Sequence, residues 1–313
     1  MQMKSFSFTT KDGVEHWINR WAPDTEEEIK GVVQLHHGLS EHSLRYDRFG
    51  SILAENGYVL NAYDMRGHGK TAELAEKKGN GCTGMLAEKD GFQRVIDDLD
   101  EIIEAVKAEY PDKPVYLFGH SFGSFVSQGY IIQHSEKLSG CILCGSAGPR
   151  RALIGFGSVA VNLVALFKGS KKYSKLLEYL SFGSYNNRVP ELKTRNDWLT
   201  RDDMVVQMYN EDKWCGIPLR ISFYKDMMAG LKYIHKKENM KKISNDLPVY
   251  IIYGTDDPVG SYGKTVENLY NIYKANGIKN IEKTAYEGGR HEILNETNKE
   301  QVENDILSWL AKN

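Results

Sequence analysis

Short apolar runs recur along the chain and alternate with longer segments in which apolar residues return every three or four positions. The runs at 16–22 (HWINRWA), 31–37 (GVVQLHH), 58–64 (YVLNAYD), 114–120 (PVYLFGH), 138–145 (LSGCILCG), 247–254 (LPVYIIYG) and 281–288 (IEKTAYEG) read as strands. The clearest helix lies at 89–109, where Phe92, Val95, Ile96, Leu99, Ile102, Ile103 and Val106 form one apolar stripe that stops before Pro111. Segments 46–56, 122–135, 261–276 and 298–311 carry the same spacing. Such alternation predicts a mostly parallel sheet with helices on both faces, because each parallel strand pair needs a crossover and the crossover helix covers the sheet.

The strand signal stops between about 148 and 216. The run LIGFGSVAVNLVALF (153–167) is apolar nearly all round, a basic KGSKKYSK follows, and the remainder to 213 reads as helical and polar. We expect a helical cap over 148–216, inserted into a core made of 1–147 and 217–313. The run is read as too short to span a bilayer. One face should line a substrate tunnel, and another, with Val161 and Leu166 outward and Lys168, Lys171 and Lys172 beside it, should rest on membrane or lipid surfaces.

Composition adds mainly exclusions. The chain has 313 residues, 41% hydrophobic and 26% charged, ordinary for a globular protein and enough for two domains or one large domain with an insertion. Forty Lys+Arg against forty-two Asp+Glu leave a net charge of −2, so no global field recruits nucleic acid. MQMKSFSFTTKDG lacks the apolar stretch of a secretion leader, and four cysteines do not make a disulfide framework; both point to a cytoplasmic protein. Cys141 and Cys144 spell C-x-x-C, but an odd separation of three within a strand sends them to opposite faces, so they read as buried thiols.

Gly119-His120-Ser121-Phe122-Gly123 is G-x-S-x-G, directly after one strand and at the start of one helix. That context is a nucleophile elbow, in which a serine occupies a tight strand-to-helix turn. A serine hydroxyl needs a base, and the base a carboxylate, in the chain order Ser, Asp, His. Of the histidines that follow, His134 shares the serine's helix, and His235 sits among Lys232, Lys236 and Lys237 on what reads as a solvated helix face. His291, just past the last strand, is the candidate base. Asp256 and Asp257, at the end of the preceding strand, are the candidate acids, with Asp257 preferred. Backbone N–H groups of Phe122 and Leu39 are the expected oxyanion donors.

Other motifs fail on context. Gly69-Lys70-Thr71 lacks the first glycine of a phosphate loop, Gly79, Gly81 and Gly84 do not follow a strand, and His36, His37 and His42 lack zinc spacing. No cofactor or metal is expected.

With these residues assembled, the chain resembles the α/β-hydrolase superfamily and, within it, the monoglyceride lipase and lysophospholipase group of serine aminopeptidase-like proteins. HHGLSEHSLRY (36–46), YDMRGHGKT (63–71), GHSFGS (119–124), LTRDDMVVQMYNED (199–212), YGTDDPVG (253–260) and YEGGRHEILNE (286–296) carry the resemblance. It implies Ser121 as nucleophile, Asp257 as acid, His291 as base, Leu39 and Phe122 as oxyanion donors, and Glu41 and Tyr209 near the departing headgroup. Leu294 stands where monoglyceride lipases can carry a second histidine. The expected activity is hydrolysis of a monoacyl lipid ester through an acyl-enzyme. The alternatives are a carboxylesterase for short or aromatic acyl groups, an aminopeptidase, and a ligand-binding protein of the same fold.

Overall fold

The computed structural model describes all 313 residues. Its centre is one eight-stranded sheet: β1 (Gln2–Thr9), β2 (Glu15–Ala22), β3 (Gly31–His36), β4 (Tyr58–Tyr63), β5 (Val115–His120), β6 (Gly140–Cys144), β7 (Val249–Gly254) and β8 (Ile281–Tyr286). The order across the sheet is β1-β2-β4-β3-β5-β6-β7-β8. β1 and β2 pair antiparallel, β2 runs antiparallel to β4, and every later pair is parallel. The C-terminal ends of β3, β5, β6, β7 and β8 therefore lie along one edge, the edge at which open α/β sheets carry their sites.

Eleven helices follow in chain order: α1 (Asp47–Glu55), α2 (Gly69–Lys78), α3 (Gly91–Glu109), α4 (Phe122–His134), α5 (Arg151–Lys168), α6 (Lys175–Phe182), α7 (Asp203–Glu211), α8 (Ile221–Ile234), α9 (Lys237–Met240), α10 (Lys264–Ala275) and α11 (Lys299–Lys312). The α3 stripe, with α4, α8 and α10, covers one face of the sheet. The opposite face is covered by Phe49, Leu53 and Ala54 of α1 and Val302, Ile306, Trp309 and Leu310 of α11. Central strands are buried at every position, since both faces are covered. Cys141 packs on the first face and Cys144 on the second, as the odd spacing requires, and both thiols are free.

Besides the short α9, three elements escape the periodicity reading, β1, α2 and α8. β1 alternates Phe6 and Phe8 with serines at an exposed edge, and α2 buries only small residues, Gly69, Thr71, Ala72 and Ala75, so neither carries much apolar signal. Between β6 and β7 lie α5 to α9 and no strand of the sheet. Of these, α8 joins the main core through Phe223, Tyr224 and Ile234, and α5 lies against α8.

α5 differs from its sequence reading in two ways. Its 18 residues have a mean hydropathy of 1.4, and about 27 Å of helix is long enough by length and composition to cross a membrane. Val161, expected outward, is buried; the outward residues are Leu153, Phe156, Val159, Leu163, Leu166 and Phe167. The apolar ring around the helix gave no direction, and packing against α8 chose which side faces in.

Trp309 seals the second face. It is 3% exposed, stacks on Tyr250 at 5.7 Å between centroids and meets Tyr116 edge-on at 6.0 Å. Trp309→Ala should lower the unfolding free energy by about 3–5 kcal/mol, read as a shifted midpoint in chemical denaturation. A midpoint within error of the parent would mean that this α11 contact is not part of the core.

Candidate active site

β5 ends at His120 and α4 begins at Phe122, so Ser121 alone makes the turn, at φ 54° and ψ −118°. A non-glycine residue is strained there and stays only because its surroundings hold it. Ser121 N donates to the Cys144 carbonyl (2.9 Å), and the Ser121 carbonyl accepts from Ser124 N (2.9 Å) and Ser124 Oγ (2.6 Å). The flanking glycines are needed for clearance. A Cβ at Gly123 would stand 2.6 Å from the His37 carbonyl oxygen, and one at Gly119 would meet the Gly123 carbonyl oxygen at 2.5 Å. The strain presents the Ser121 side chain at the sheet edge, where Ser121 lines a cavity of about 780 Å³.

Of the other expected residues, Leu39, Glu41, Phe122, Tyr209 and His291 line the same cavity, and Asp257 is joined to it through His291. His291 Nδ1 and Asp257 Oδ2 are 3.0 Å apart, with both side chains buried. Asp257 Oδ1 also accepts from Val259 N (2.8 Å), whereas its neighbour Asp256 faces solvent. The His291 ring lies between two others, His120 and Trp198, each 4.9 Å away between centroids. Ser121 Oγ makes no hydrogen bond to His291; such contacts commonly tighten only around substrate. Leu39 and Phe122 both line the cavity, and neither backbone N–H donates to another group of the protein.

Glu41 and Tyr209 are also in the cavity wall, but their polar atoms are already engaged. Tyr209 Oη donates to the Ser40 carbonyl (2.9 Å) and accepts from Gly216 N (3.1 Å). Glu41 Oε1 accepts from Gly38 N (2.5 Å) and Tyr46 Oη (2.9 Å), and Oε2 from Arg45 (2.7 Å). Arg45 in turn donates twice, at 2.7 Å, to Glu292. Leu294 is packed in the core.

His120 completes the network, and sequence reasoning passed over it with Arg45, Glu292 and Trp198. Its Nδ1 is 3.1 Å from Glu41 Oε1 and its Nε2 3.5 Å from the His291 carbonyl oxygen, so both ring nitrogens face acceptors. Burial alone would push this ring down, but the Glu41 hydrogen bond and charge outweigh it and raise the ring above the usual histidine value. Burial likewise opposes the Glu41 charge, yet the His120 bond and Arg45 hold its carboxyl well below the usual range. The one available sequence signal was the i, i+4 spacing of Glu41 and Arg45.

His235 overturns its reading as a solvated residue. It caps the C-terminus of α8, is 4% exposed and lines the cavity, because the flanking lysines point away while the ring turns inward.

His42, Asp212 and Cys215 offer atoms within 4.8 Å of one another, but His42 Nε2 is hydrogen-bonded to Asp212 at 2.8 Å and burial pushes the Cys215 thiol up, keeping it protonated. His37 Nε2 accepts from Met65 N (3.0 Å) and is likewise committed.

Comparison with known proteins bears on family and fold. The family model described as serine aminopeptidase, S33, matches residues 27–298. A monoacylglycerol lipase of Mycolicibacterium smegmatis is 25% identical, with 97% of this chain and 96% of that protein covered. A highly thermostable carboxyl esterase from Bacillus coagulans, solved in complex with glycerol, superposes with a TM-score of 0.89 at 29% identity over 100% of this chain and 99% of that one. A soluble variant of Saccharomyces cerevisiae monoglyceride lipase, solved with a substrate analogue, gives 0.75 at 22% identity over 99% and 95%, a likeness of fold.

The His120–Glu41 pair has a pH signature. A histidine whose folded pKa is raised stabilises the fold fully below its unfolded value, and that stability is lost as pH rises through the folded pKa. Unfolding free energy should therefore fall above about pH 6.5, by up to about 1.4 kcal/mol per pH unit, and His120→Gln should remove that slope. Equal slopes in chemical denaturation series of parent and variant would show that the ring is neutral in the folded state.

Proposed function

This chain belongs to the serine aminopeptidase S33 family of α/β-hydrolases, and from that premise we propose that it is a serine ester hydrolase cleaving monoacyl lipids, monoacylglycerols or lysophospholipids, through an acyl-enzyme. The observation that carries the reading is convergence: a strained serine, a buried Asp257–His291 pair and two unengaged amide N–H groups meet at one largely apolar cavity.

In this mechanism His291 takes the Ser121 proton as Oγ attacks the ester carbonyl, and Asp257, held at Nδ1, keeps the ring oriented and stabilises its positive charge. The N–H groups of Leu39 and Phe122 receive the oxyanion of the tetrahedral intermediate. His291 then protonates the departing alcohol, and water, activated by the same base, releases the fatty acid from Ser121. The headgroup departs along the Glu41 and Tyr209 wall.

Two features favour a lipid over a peptide. A free amino terminus would need an unpaired carboxylate, whereas Glu41 and Glu292 are paired with Arg45, and Glu178, the third acid in the cavity wall, stands 3.5 Å from Arg195. The outer face of α5 is apolar and solvent-exposed, with Leu166 at 78% and Phe167 at 83%, which suits contact with a lipid or membrane surface from which poorly soluble substrate enters. The enzyme is expected to work in the cytoplasm.

The carboxyl esterase likeness keeps short acyl esters as the second reading. Ser121→Ala should lower kcat by about 10^4-fold with the fold intact and abolish labelling by a fluorophosphonate. A loss below about tenfold would sink the nucleophile assignment. A panel of monoacylglycerols and p-nitrophenyl esters of graded chain length separates the two readings, with kcat/KM rising with chain length for the first and peaking at acetate or butyrate for the second.

A further inference from the structure

The charges of the cavity wall do not balance, and the surplus is positive. Glu41 and Glu292 are paired with Arg45, and the Arg150 guanidinium turns to the Val259 carbonyl, which leaves Lys175, Glu178 and Arg195 as the remaining charged residues of the lining. Two cations thus share one acid. Lys175 and Glu178 lie one turn apart on α6, and Arg195 Nη1 stands 3.5 Å from Glu178 Oε1, with the two side chains 69% and 48% exposed. A single long contact between exposed partners contributes little, so Glu178 is answered while most of the five guanidinium N–H donors of Arg195 stay free.

The loop that carries Arg195 is firmly held. Asp197 accepts from Lys193 N (2.6 Å) and Thr194 N (3.0 Å), its carbonyl accepts from Arg290 Nη1 (2.7 Å), and the Arg195 carbonyl accepts from Asn186 Nδ2 (2.8 Å). The same loop sets the Trp198 ring 4.9 Å from the His291 ring, and three residues of chain span about 11 Å at most, so Arg195 stays near the base. Gly216 gives its direction. A Cβ there would stand 3.5 Å from Arg195 Nη2 and 3.7 Å from Tyr209 Cε1, which puts the guanidinium against the Tyr209 part of the wall.

Under the function proposed above, on which this inference rests, the headgroup leaves along that wall. We propose that Arg195 and Lys175 form a phosphate subsite at the headgroup end of the cavity, so that monoacyl lipids with an anionic phosphate headgroup are preferred over neutral monoacylglycerols. The Nη2 edge of Arg195, free of Glu178, presents the fork that matches two phosphate oxygens, and Lys175 adds a point charge. Neutral glycerol hydroxyls take only ordinary hydrogen bonds from the same groups, whereas charge-assisted ones are roughly twice as strong. The surrounding charge agrees. Residues 148–216 hold eleven Lys and Arg against seven Asp and Glu, in a chain whose net charge is −2.

The test compares octanoylglycerol with octanoylglycerol phosphate and octanoyl glycerophosphoglycerol, each below its aggregation concentration, so that attraction to an anionic surface plays no part. The parent protein should favour the phosphorylated esters by about tenfold or more in kcat/KM, mainly through KM. Arg195→Gln should reduce that ratio by about tenfold, and Arg195→Lys should recover part of it, since the charge returns without the fork. Lys193→Gln removes the same charge from the same loop outside the cavity and should leave the ratio as in the parent. Without any substitution, glycerol phosphate should slow fluorophosphonate labelling of Ser121 at about tenfold lower concentration than glycerol. Equal kcat/KM for neutral and phosphorylated esters, or an equal effect of Lys193→Gln and Arg195→Gln, overturns the subsite while leaving ester hydrolysis standing. Turnover of neither series overturns the ester-hydrolase reading and the subsite with it.

Discussion

The close approach of α4 to the end of β3 is the constraint on which the site depends. Gly123 sits against the His36 and His37 carbonyls, a distance no side chain tolerates, and that contact pulls the start of α4 down onto the sheet. Ser121 is thereby forced to positive φ. The same approach brings the loop after β3, with Leu39, beside the first turn of α4, with Phe122, so strain at one residue and assembly of two amide donors are consequences of one packing decision.

Charge holds the loops in register around that turn. Arg45, 11% exposed, bridges Glu41 and Glu292, and His120 closes the chain by facing both Glu41 and the carbonyl of His291. The loops after β3 and β8 and the end of β5 are thus joined by buried, charge-assisted bonds. Buried ions are stable only when every charge is matched, and here two carboxylates meet one guanidinium and one histidine whose value is raised by that company. Removing one partner would strand the others. Trp198, from the segment between β6 and β7, accepts from His291 N through its carbonyl (3.4 Å) and sets its ring 4.9 Å from the His291 ring at a 36° tilt, so that segment and the base are mechanically linked.

The cavity wall near Glu41 and Tyr209 is polar but satisfied by the protein's own groups, so it shapes the channel. α5 has apolar residues on both sides, lining the cavity through Ile154 and Val161 and meeting solvent through Leu163, Leu166 and Phe167.

Much of this was legible in one dimension. Alternating strand and helix periods specified the parallel sheet, because the side-chain period of two or of 3.6 is a local property that burial imposes on each element. The elbow was legible because a serine between two glycines, directly between a strand and a helix, has few other uses. His291 followed from chain order. Weakly apolar elements, β1 and α2, were not legible, for they bury little.

The sequence preferred Asp257 to Asp256, two adjacent carboxyls of the same chemistry, and tertiary structure turned the first toward His291 and the second to solvent. It alone brought Arg45 to Glu292, 247 positions away, and turned His235 inward from among exposed lysines. The all-round apolar helix α5 was read with Val161 outward, and in the structure, where α5 packs on α8, that residue is buried. The reason is common to all four. Periodicity tells which face of an element is buried, while the meeting of loop side chains depends on strand register and on the angles of packed helices, and those are set by contacts between residues far apart in the chain.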